Sequence, residues 1–380
     1  MTYLLAIDQG TTSTRCAIYD EELNIIKSEQ KEYPLLYPCD GWVEVDPNKL
    51  LESVYSSLDP LLNSSYDIEC VGITNQRETT LVWDSESGLP IYNGIVWQDR
   101  RTAEHCATLK EQNLETIISK KTGLLLDPYF SATKISWILD NVDGARKKAE
   151  AGKLRFGTVD TYLLWQLTNG EVYKTDVTNA SRTMLFNIID ERWDEELLDL
   201  FEIPSNMLPQ VCDNVSDFGE TNVLGGNIAI GGVAGDQQAA LIGQCCFEPG
   251  SLKSTYGTGA FVLLNTGSKK IYSKNRLLTT IAYRLNGKTT YAMEGSIFIA
   301  GAGVQWLRDK LKLINNAKET EKIANSKKNN DGIYIVPAFT GLGAPYWSPD
   351  SRGVITGLSL IHISEPTRPR LISYAVFCLK

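Results

Sequence analysis

The chain has 380 residues, 43% hydrophobic and 22% charged, with 8 Trp and 17 Tyr, which excludes a disordered or fibrous protein. Lys and Arg number 37 against 46 Asp and Glu, and a net charge of −9 argues against a nucleic-acid partner. No run approaches the roughly 18 apolar residues of a membrane span, no basic leader opens the chain, and the eight cysteines form no C-x-x-C pair, so a cytoplasmic protein with reduced thiols is expected.

In chain order, residues 3–7 predict a strand that Asp8 ends, Gln9-Gly10 a turn, and residues 16–19 a second strand, with a third short run at 24–26. Asp46-Pro47 predicts a helix start, after which Leu50, Val54 and Leu58 recur at helical spacing until Pro60 disrupts the pattern. Residues 70–74 and 79–83 predict buried strands, and Asp160 before Thr161 reads as a helix cap. Another apolar strand, 228–230, precedes Gly232-Val233-Ala234-Gly235-Asp236-Gln237-Gln238. Past the middle, Thr255-Tyr256-Gly257-Thr258-Gly259 repeats the opening pattern of a Gly/Thr turn beside an apolar run, here 260–264. Residues 278–283 and 289–293 flank Asn286-Gly287, a hairpin signal. Gly301-Ala302-Gly303 then opens a helix with Val304, Leu307, Leu311 and Ile314 on one face. Strands alternating with helices predict an α/β layered fold. The repeated turn-bearing unit predicts two similar domains facing a shared cleft, with the boundary near Glu248-Pro249-Gly250.

Three segments carry candidate chemistry. In Asp8-Gln9-Gly10-Thr11-Thr12-Ser13-Thr14-Arg15, a glycine turn exposes successive N–H groups, and hydroxyls plus an arginine can cradle phosphate oxygens. Asp8 at the strand end can hold a phosphate-bound Mg²⁺. The plainer reading is a Thr-rich hairpin turn, and the absence of G-K-[ST] excludes a Walker A loop. Asp236, just after Gly235, can accept the proton of an attacking hydroxyl; it also fits a helix N-cap. Arg77-Glu78 offers a donor fork and an acceptor to polyol hydroxyls, although adjacent opposite charges ordinarily mark a solvated turn. By local sequence Trp97 and Tyr129 read as core aromatics. Only two histidines, His105 and His362, argue against a histidine metal site or a nucleophile–histidine triad.

Together these segments resemble the glycerol kinases of the FGGY carbohydrate-kinase family. The resemblance rests on Asp8 to Arg15, Gly72-Ile-Thr-Asn-Gln-Arg-Glu-Thr-Thr80, Asp127-Pro-Tyr-Phe-Ser131 and Thr178-Asn-Ala-Ser-Arg-Thr183. It rests equally on Ala234-Gly-Asp-Gln-Gln238, Thr255 to Gly259, Gly301-Ala-Gly-Val-Gln-Trp306 and Gly341-Leu-Gly-Ala-Pro-Tyr-Trp347, and it spans roughly residues 2 to 359. The likeness implies an α/β fold of two ribonuclease-H-like (actin-like ATPase) domains around a central cleft, the second incomplete. It implies phosphorylation of glycerol by ATP, with Mg²⁺, to sn-glycerol 3-phosphate. By the resemblance Arg77, Glu78, Tyr129 and Asp236 bind the hydroxyls, Gln237 lies beside them, and Trp97 and Phe261 pack on the carbon backbone. Thr11, Thr12, Ser13, Arg15, Thr258, Gly301 and Gln305 face the nucleotide, Asp8 and Asp236 the metal, and Asp236 is the general base. The implied domains are 1–248, on the glycerol and phosphate side, and 249–360, on the nucleotide side. A homo-oligomer is expected of a full-length chain.

From Ile361 onward the sequence matches nothing in the family pattern, so 361–380 reads as a non-family tail, a frameshift or assembly artefact, in a chain truncated before the family's last nucleotide loop. The segment Asp217-Phe-Gly-Glu-Thr-Asn-Val-Leu-Gly-Gly226 holds no histidine, so activation by histidine phosphorylation there is not expected. Two other readings compete: another FGGY sugar kinase acting on a pentulose or gluconate, and an inactive polyol-binding fragment or actin-like nucleotide switch.

Overall fold

The structure, a computed structural model, describes residues 2–62, 66–223 and 225–360; the tail expected at 361–380, His362 and Cys378 lie outside the described residues. The chain divides into two compact units, Met1–Lys253 with Val262–Gly295, and Ser254–Phe261 with the residues from Ser296 onward.

The first unit is built on a six-stranded sheet ordered Glu220–Thr221, Ile228–Gly235, Asp67–Asn75, Thr2–Gln9, Ser13–Tyr19, Ile25–Glu32. Its three middle strands are parallel, and the outer pairs run antiparallel through short connections. Buried Val71, Ile73 and Asn75 alternate along Asp67–Asn75 with partly exposed neighbours, the period-2 pattern of a strand. Helix Pro47–Leu62 buries Leu50, Val54, Leu58 and Leu61 and packs against the Ser13–Tyr19 and Ile25–Glu32 strands. Contrary to the expected break, the helix runs through Pro60 to Leu62. A proline this close to the end removes a single ladder bond, to the part-exposed Ser56 carbonyl, and the Pro60 carbonyl gains the Lys27 ammonium at 2.6 Å.

A second difference lies at residues 79–83. The strand there is Leu81–Asp84, because Glu78 takes a left-handed φ of 62° and the Thr79 N–H turns back to the Arg77 carbonyl at 2.7 Å. The hairpin at Asn286-Gly287 forms as expected, joining Leu278–Leu285 to Lys288–Ile297. Both turn residues have positive φ, 50° and 70°, as primed hairpin turns require. Helix Asp236–Gly243 lays Leu241 on Ala282, Tyr283 and Ala292 of this hairpin, with Leu263 and Cys246 closing the cluster.

In the second unit, helix Gly301–Asp309 ends earlier than its apolar spacing implied. The Leu311 N–H closes on Trp306 O, and Lys312 turns left-handed at φ 53°. Leu311 and Ile314 therefore lie beyond the helix, although Ile314 is still buried. Strands Tyr334–Val336 and Val354–Thr356 form an antiparallel pair in the same unit.

Candidate active site

The register of the parallel strands sets the site. On the central strand, Thr74 pairs with Asp8 on one side and Ala234 on the other, and Asn75 with Gln9 and Gly235. Asp8, Arg77 and Asp236 thus leave three adjacent strands near one level, at the carboxyl ends where open α/β sheets bind ligands. A polar brace fixes these ends. Asn75 and Asn179 exchange two amide bonds of 3.0 Å each. The fully buried Asp176 carboxylate accepts from Thr178 N at 2.6 Å, Asn179 Nδ2 at 2.7 Å and Asn214 Nδ2 at 2.8 Å, as well as from the Thr178 hydroxyl. The Thr178 hydroxyl in turn accepts the Gly235 N–H at 2.9 Å. The residue ahead of Asp236 is therefore tied to a buried carboxylate through one hydroxyl.

The solvated turn expected for residues 75–78 is absent. Asn75, Gln76, Arg77 and Glu78 are all within 2% of full burial. Charges there must be paired, and each pairs with a residue far away in sequence rather than with its neighbour. Arg77 grips Glu294 with both terminal nitrogens, at 2.7 and 2.9 Å. Glu78 Oε1 accepts from Arg182 Nε at 2.6 Å, whereas Arg77 Nε stands 3.9 Å from it. Burial pushes the Glu78 carboxyl up, against the pull of Arg77 and Arg182. The Arg77 side chain passes over Gly235, where an added Cβ would lie 2.8 Å from its Cγ and Cδ. Only glycine admits it.

Asp236 keeps about a third of its side chain open to solvent and lies 3.4 Å from Arg77 Nε. It stands in the first turn of its helix, with Gly235 as the cap residue in place of the expected Asp236 cap. Asp160 likewise lies inside helix Val159–Leu167 behind its cap Thr158, fully buried and held by Thr158 and Thr175 hydroxyls at 2.5 and 2.6 Å. Gln237 donates to Asp236 Oδ2 at 3.0 Å, and its Oε1 accepts the Lys253 ammonium at 2.5 Å. An ammonium can only donate, so Lys253 fixes which end of the amide faces Asp236. Burial first, then Arg77, brings Lys253 down to about 8, against the pull of Asp236.

Tyr129 and Trp97 are buried edge to face, with centroids 5.7 Å apart, and Trp97 Nε1 donates to the Thr11 hydroxyl at 3.0 Å. Beneath Tyr129, the completely buried Lys134 donates to its carbonyl at 2.7 Å. Burial brings that ammonium down to about 7, although Asp99 favours its charged form.

The Gly/Thr turn is also a β-hairpin turn, with Asp8 paired to Arg15 and Gln9 to Thr14. Its Gly10 carbonyl accepts from Tyr33 Oη, Gln9 Nε2 and Gln76 Nε2 at 2.5, 2.8 and 3.0 Å. That clamp presents Thr12 and Arg15 to solvent and leaves Thr11 and Ser13 part-exposed. Solvent reaches Asp8, yet surrounding protein displaces enough water to raise its carboxyl to about 6, helped by Asp236 and opposed by Arg15. In the second unit, Thr258 O accepts the N–H groups of Ala300 and Ala302, and Gly257 O accepts that of Gly301 at 2.9 Å. A Cβ on Gly301 would sit 2.5 Å from Gly257 O, so this close approach requires glycine. Gln305 stands exposed one turn further along the helix, and Phe261 is buried.

Arg182, Glu294 and Lys253 are the site residues that sequence reasoning did not single out. Glu294 had a legible signal, a carboxylate on the same inward face of its strand as Ala292 and Ser296. Arg182 lies in the Thr178–Thr183 segment, but nothing local marks it as buried.

A profile of the N-terminal domain of the FGGY family of carbohydrate kinases matches residues 3–243, and one of the C-terminal domain matches residues 252–375, so the match extends past residue 360 into the segment expected to be a non-family tail. The chain is 61% identical over 364 residues to a glycerol kinase of Alteromonas mediterranea, covering 94% of this chain and 74% of that one. It is 58% identical to glycerol kinase 1 of Pseudomonas aeruginosa, with the same coverage. The crystal structure of Plasmodium falciparum glycerol kinase with ADP superposes at a TM-score of 0.83 and 42% identity, over 94% of this chain and 73% of that one. A gluconate kinase of Lactobacillus acidophilus shares the fold at a TM-score of 0.80 and 22% identity. The fold is accordingly the two-domain actin-like ATPase fold.

Two outcomes are expected. Replacing Gly235 with Ala pushes the Arg77 side chain aside and lowers turnover by on the order of 100-fold while the protein stays folded; steady-state rates beside a thermal melt check this, and an unchanged rate would refute the packing argument. Lys134 binds a proton more weakly folded, at about 7, than unfolded, at 10.5. Between those values the unfolded chain holds more protons, so this residue's contribution to stability rises with pH across that window. Urea melts at pH 7.0 and 9.5 should show wild type gaining on Lys134→Met as pH rises; a constant difference would mean that Lys134 stays charged.

Proposed function

The chain belongs to the FGGY family of carbohydrate kinases, and on that footing we propose that it transfers the terminal phosphoryl group of ATP to glycerol, giving sn-glycerol 3-phosphate. The observation that carries this reading is the buried Arg77–Glu78 pair set beside the half-open Asp236 carboxylate, in a chain 61% identical to a glycerol kinase. A three-carbon polyol has little apolar area to bury, so fixed hydrogen-bonding groups must supply its recognition. An analogue lacking one hydroxyl leaves such groups unpaired, which is costly in a dry site. Arg77 and Glu78 provide a donor and an acceptor already held in place; Tyr129, with Trp97 against it, supplies aromatic surface for the carbon chain, a role also proposed for Phe261.

Asp236 accepts the proton of the attacking hydroxyl. Its orientation is set before substrate arrives by Gln237, whose amide is fixed by Lys253. Thr11, Thr12, Ser13 and Arg15 in the clamped turn are the proposed phosphate contacts of the first unit, and Thr258, Gly301 and Gln305 the proposed nucleotide contacts of the second. Among the described residues no three carboxylates, thiols or imidazoles gather into a protein-only metal cage. The fit is to Mg²⁺, which draws most of its ligands from phosphate and water, and Asp8 and Asp236 are its protein partners. The upward push that Asp236 gives Asp8 supports this, because a divalent cation relieves that repulsion. When bound, the ion neutralises charge on the phosphate oxygens.

The same reading assigns residues 1–248 to the glycerol and phosphate side and 249–360 to the nucleotide side, although Lys253 and Val262–Gly295 pack in the first unit, in a cytoplasmic, homo-oligomeric enzyme. In the Asp236→Asn variant, turnover should fall by about 100- to 10,000-fold while calorimetric glycerol affinity changes little, the signature of a lost proton acceptor. Turnover within tenfold of wild type would remove Asp236 from the role of base.

A further inference from the structure

Arg77 and Glu78, read as contacting glycerol, form with Arg182 and Glu294 a cluster of four charges, all within 2% of full burial. Two of them, Arg182 and Glu294, have so far no part in the reaction. Their bonds describe a lattice rather than two separate pairs. Glu294 Oε1 accepts from Arg77 Nη2 at 2.9 Å and from Arg182 Nη2 at 3.0 Å, while its Oε2 accepts from Arg77 Nη1 at 2.7 Å. Arg77 Nη1 also donates to Gln238 Oε1 at 3.2 Å. Arg182 Nε reaches Glu78 Oε1 at 2.6 Å, and its guanidinium centre lies 5.6 Å from the Tyr129 ring and 5.3 Å from that of Phe130.

We propose that Arg182 and Glu294 are positioning residues for polyol recognition: they lock Arg77 and Glu78 in the geometry that reads the hydroxyls. The proposal rests on the glycerol reading above.

Three observations carry it. Glu294 has both oxygens bonded inside the lattice, and Arg182 commits Nε to Glu78 and Nη2 to Glu294, its buried Nη1 being the one lattice nitrogen of that side chain left without a partner. Arg182 binds Oε1 of Glu78 and so leaves Oε2 as the oxygen for a substrate hydroxyl; Glu294 holds the Arg77 fork on its far side and leaves Nε turned toward Asp236. Finally, Glu78 stands at a φ of 62°, a conformation costly for a residue with a side chain, and its carbonyl is pinned by the Ser131 and Thr80 hydroxyls at 3.1 Å each. A strained backbone, a pinned carbonyl and a carboxylate held by one oxygen add up to a preset acceptor.

A buried ion pair can serve stability alone, so the test needs readouts that a purely structural role leaves unmoved. Arg182→Lys keeps the charge and loses the planar fork, and Glu294→Gln keeps the shape and loses the charge. For each, the Michaelis constant for glycerol should rise about 10- to 100-fold, with the constant for ATP and the turnover number within about threefold. The preference for glycerol over propane-1,2-diol should narrow by about tenfold or more, because loosened groups no longer penalise a missing hydroxyl. Glycerol titration calorimetry without nucleotide should show the same loss of affinity. If melting temperatures fall while glycerol affinity and discrimination stay at wild-type values, the lattice is scaffold only and the proposal fails. Failure of both variants to fold assigns the pair to the core and equally overturns it. A wild-type protein that neither binds nor phosphorylates glycerol would instead defeat the reading on which the proposal rests.

Discussion

The site depends on one constraint of backbone pairing: three parallel strands whose ends stand at a common level. Because Asp67–Asn75 pairs in parallel with Thr2–Gln9 on one side and Ile228–Gly235 on the other, groups separated by more than two hundred residues emerge side by side. A one-residue slip of either neighbour would reverse the faces of its side chains and move its carboxylate away from Arg77. The register is held from outside the ladder as well. Asn75 is bonded to Asn179, and Gly235 to Thr178, both on the short helix Val177–Ala180 anchored by Asp176. The carboxylate of Asp176 thereby acts on Asp236 at one remove, through a hydroxyl and a peptide N–H.

Burial of charge is the second constraint, and it follows from the first. Once Arg77 and Glu78 are carried into the interior at a strand end, water is lost and partners must come from the protein. The partners arrive on separate elements, Arg182 just past helix Val177–Ala180 and Glu294 on strand Lys288–Ile297. The four side chains sum to zero charge, and each removal would strand an opposite charge in low dielectric, a penalty of about 3–5 kcal/mol. Such a lattice has few alternative arrangements. Rigidity of that kind suits recognition of a small polar molecule, whose own groups are too few to organise a loose site.

Much of this was legible in the residues. Strand–turn–strand at the start and the hairpin at Asn286-Gly287 depend on local conformational preferences, and local preferences are what a sequence displays. The burial of Arg77-Glu78 was not legible, because adjacent charges have the same appearance in a solvated turn and in a paired interior; the difference lies in Arg182 and Glu294, over a hundred residues away. The continuation of the first long helix through Pro60 was hidden for a related reason, since a proline is tolerable only where the carbonyl four residues before it can reach water or another donor. Family resemblance implied roles for Arg77, Glu78 and Asp236, but said nothing of what holds them.

Glycine marks where backbone and side chain come too close for any other residue, and it does so in both units. Gly235 yields its Cβ space to the Arg77 side chain, and Gly301 yields its own to the Gly257 carbonyl at the start of a helix. The two cases are physically different. The first clears a path for a charged group that must cross the strand end to meet Glu294. The second brings the start of a helix down onto a Gly/Thr turn, whose Gly257 and Thr258 carbonyls take up the N–H groups of Ala300, Gly301 and Ala302. A glycine in such sequences therefore records a contact whose other half lies elsewhere in the chain. Only the fold says whether that half is a guanidinium or a carbonyl.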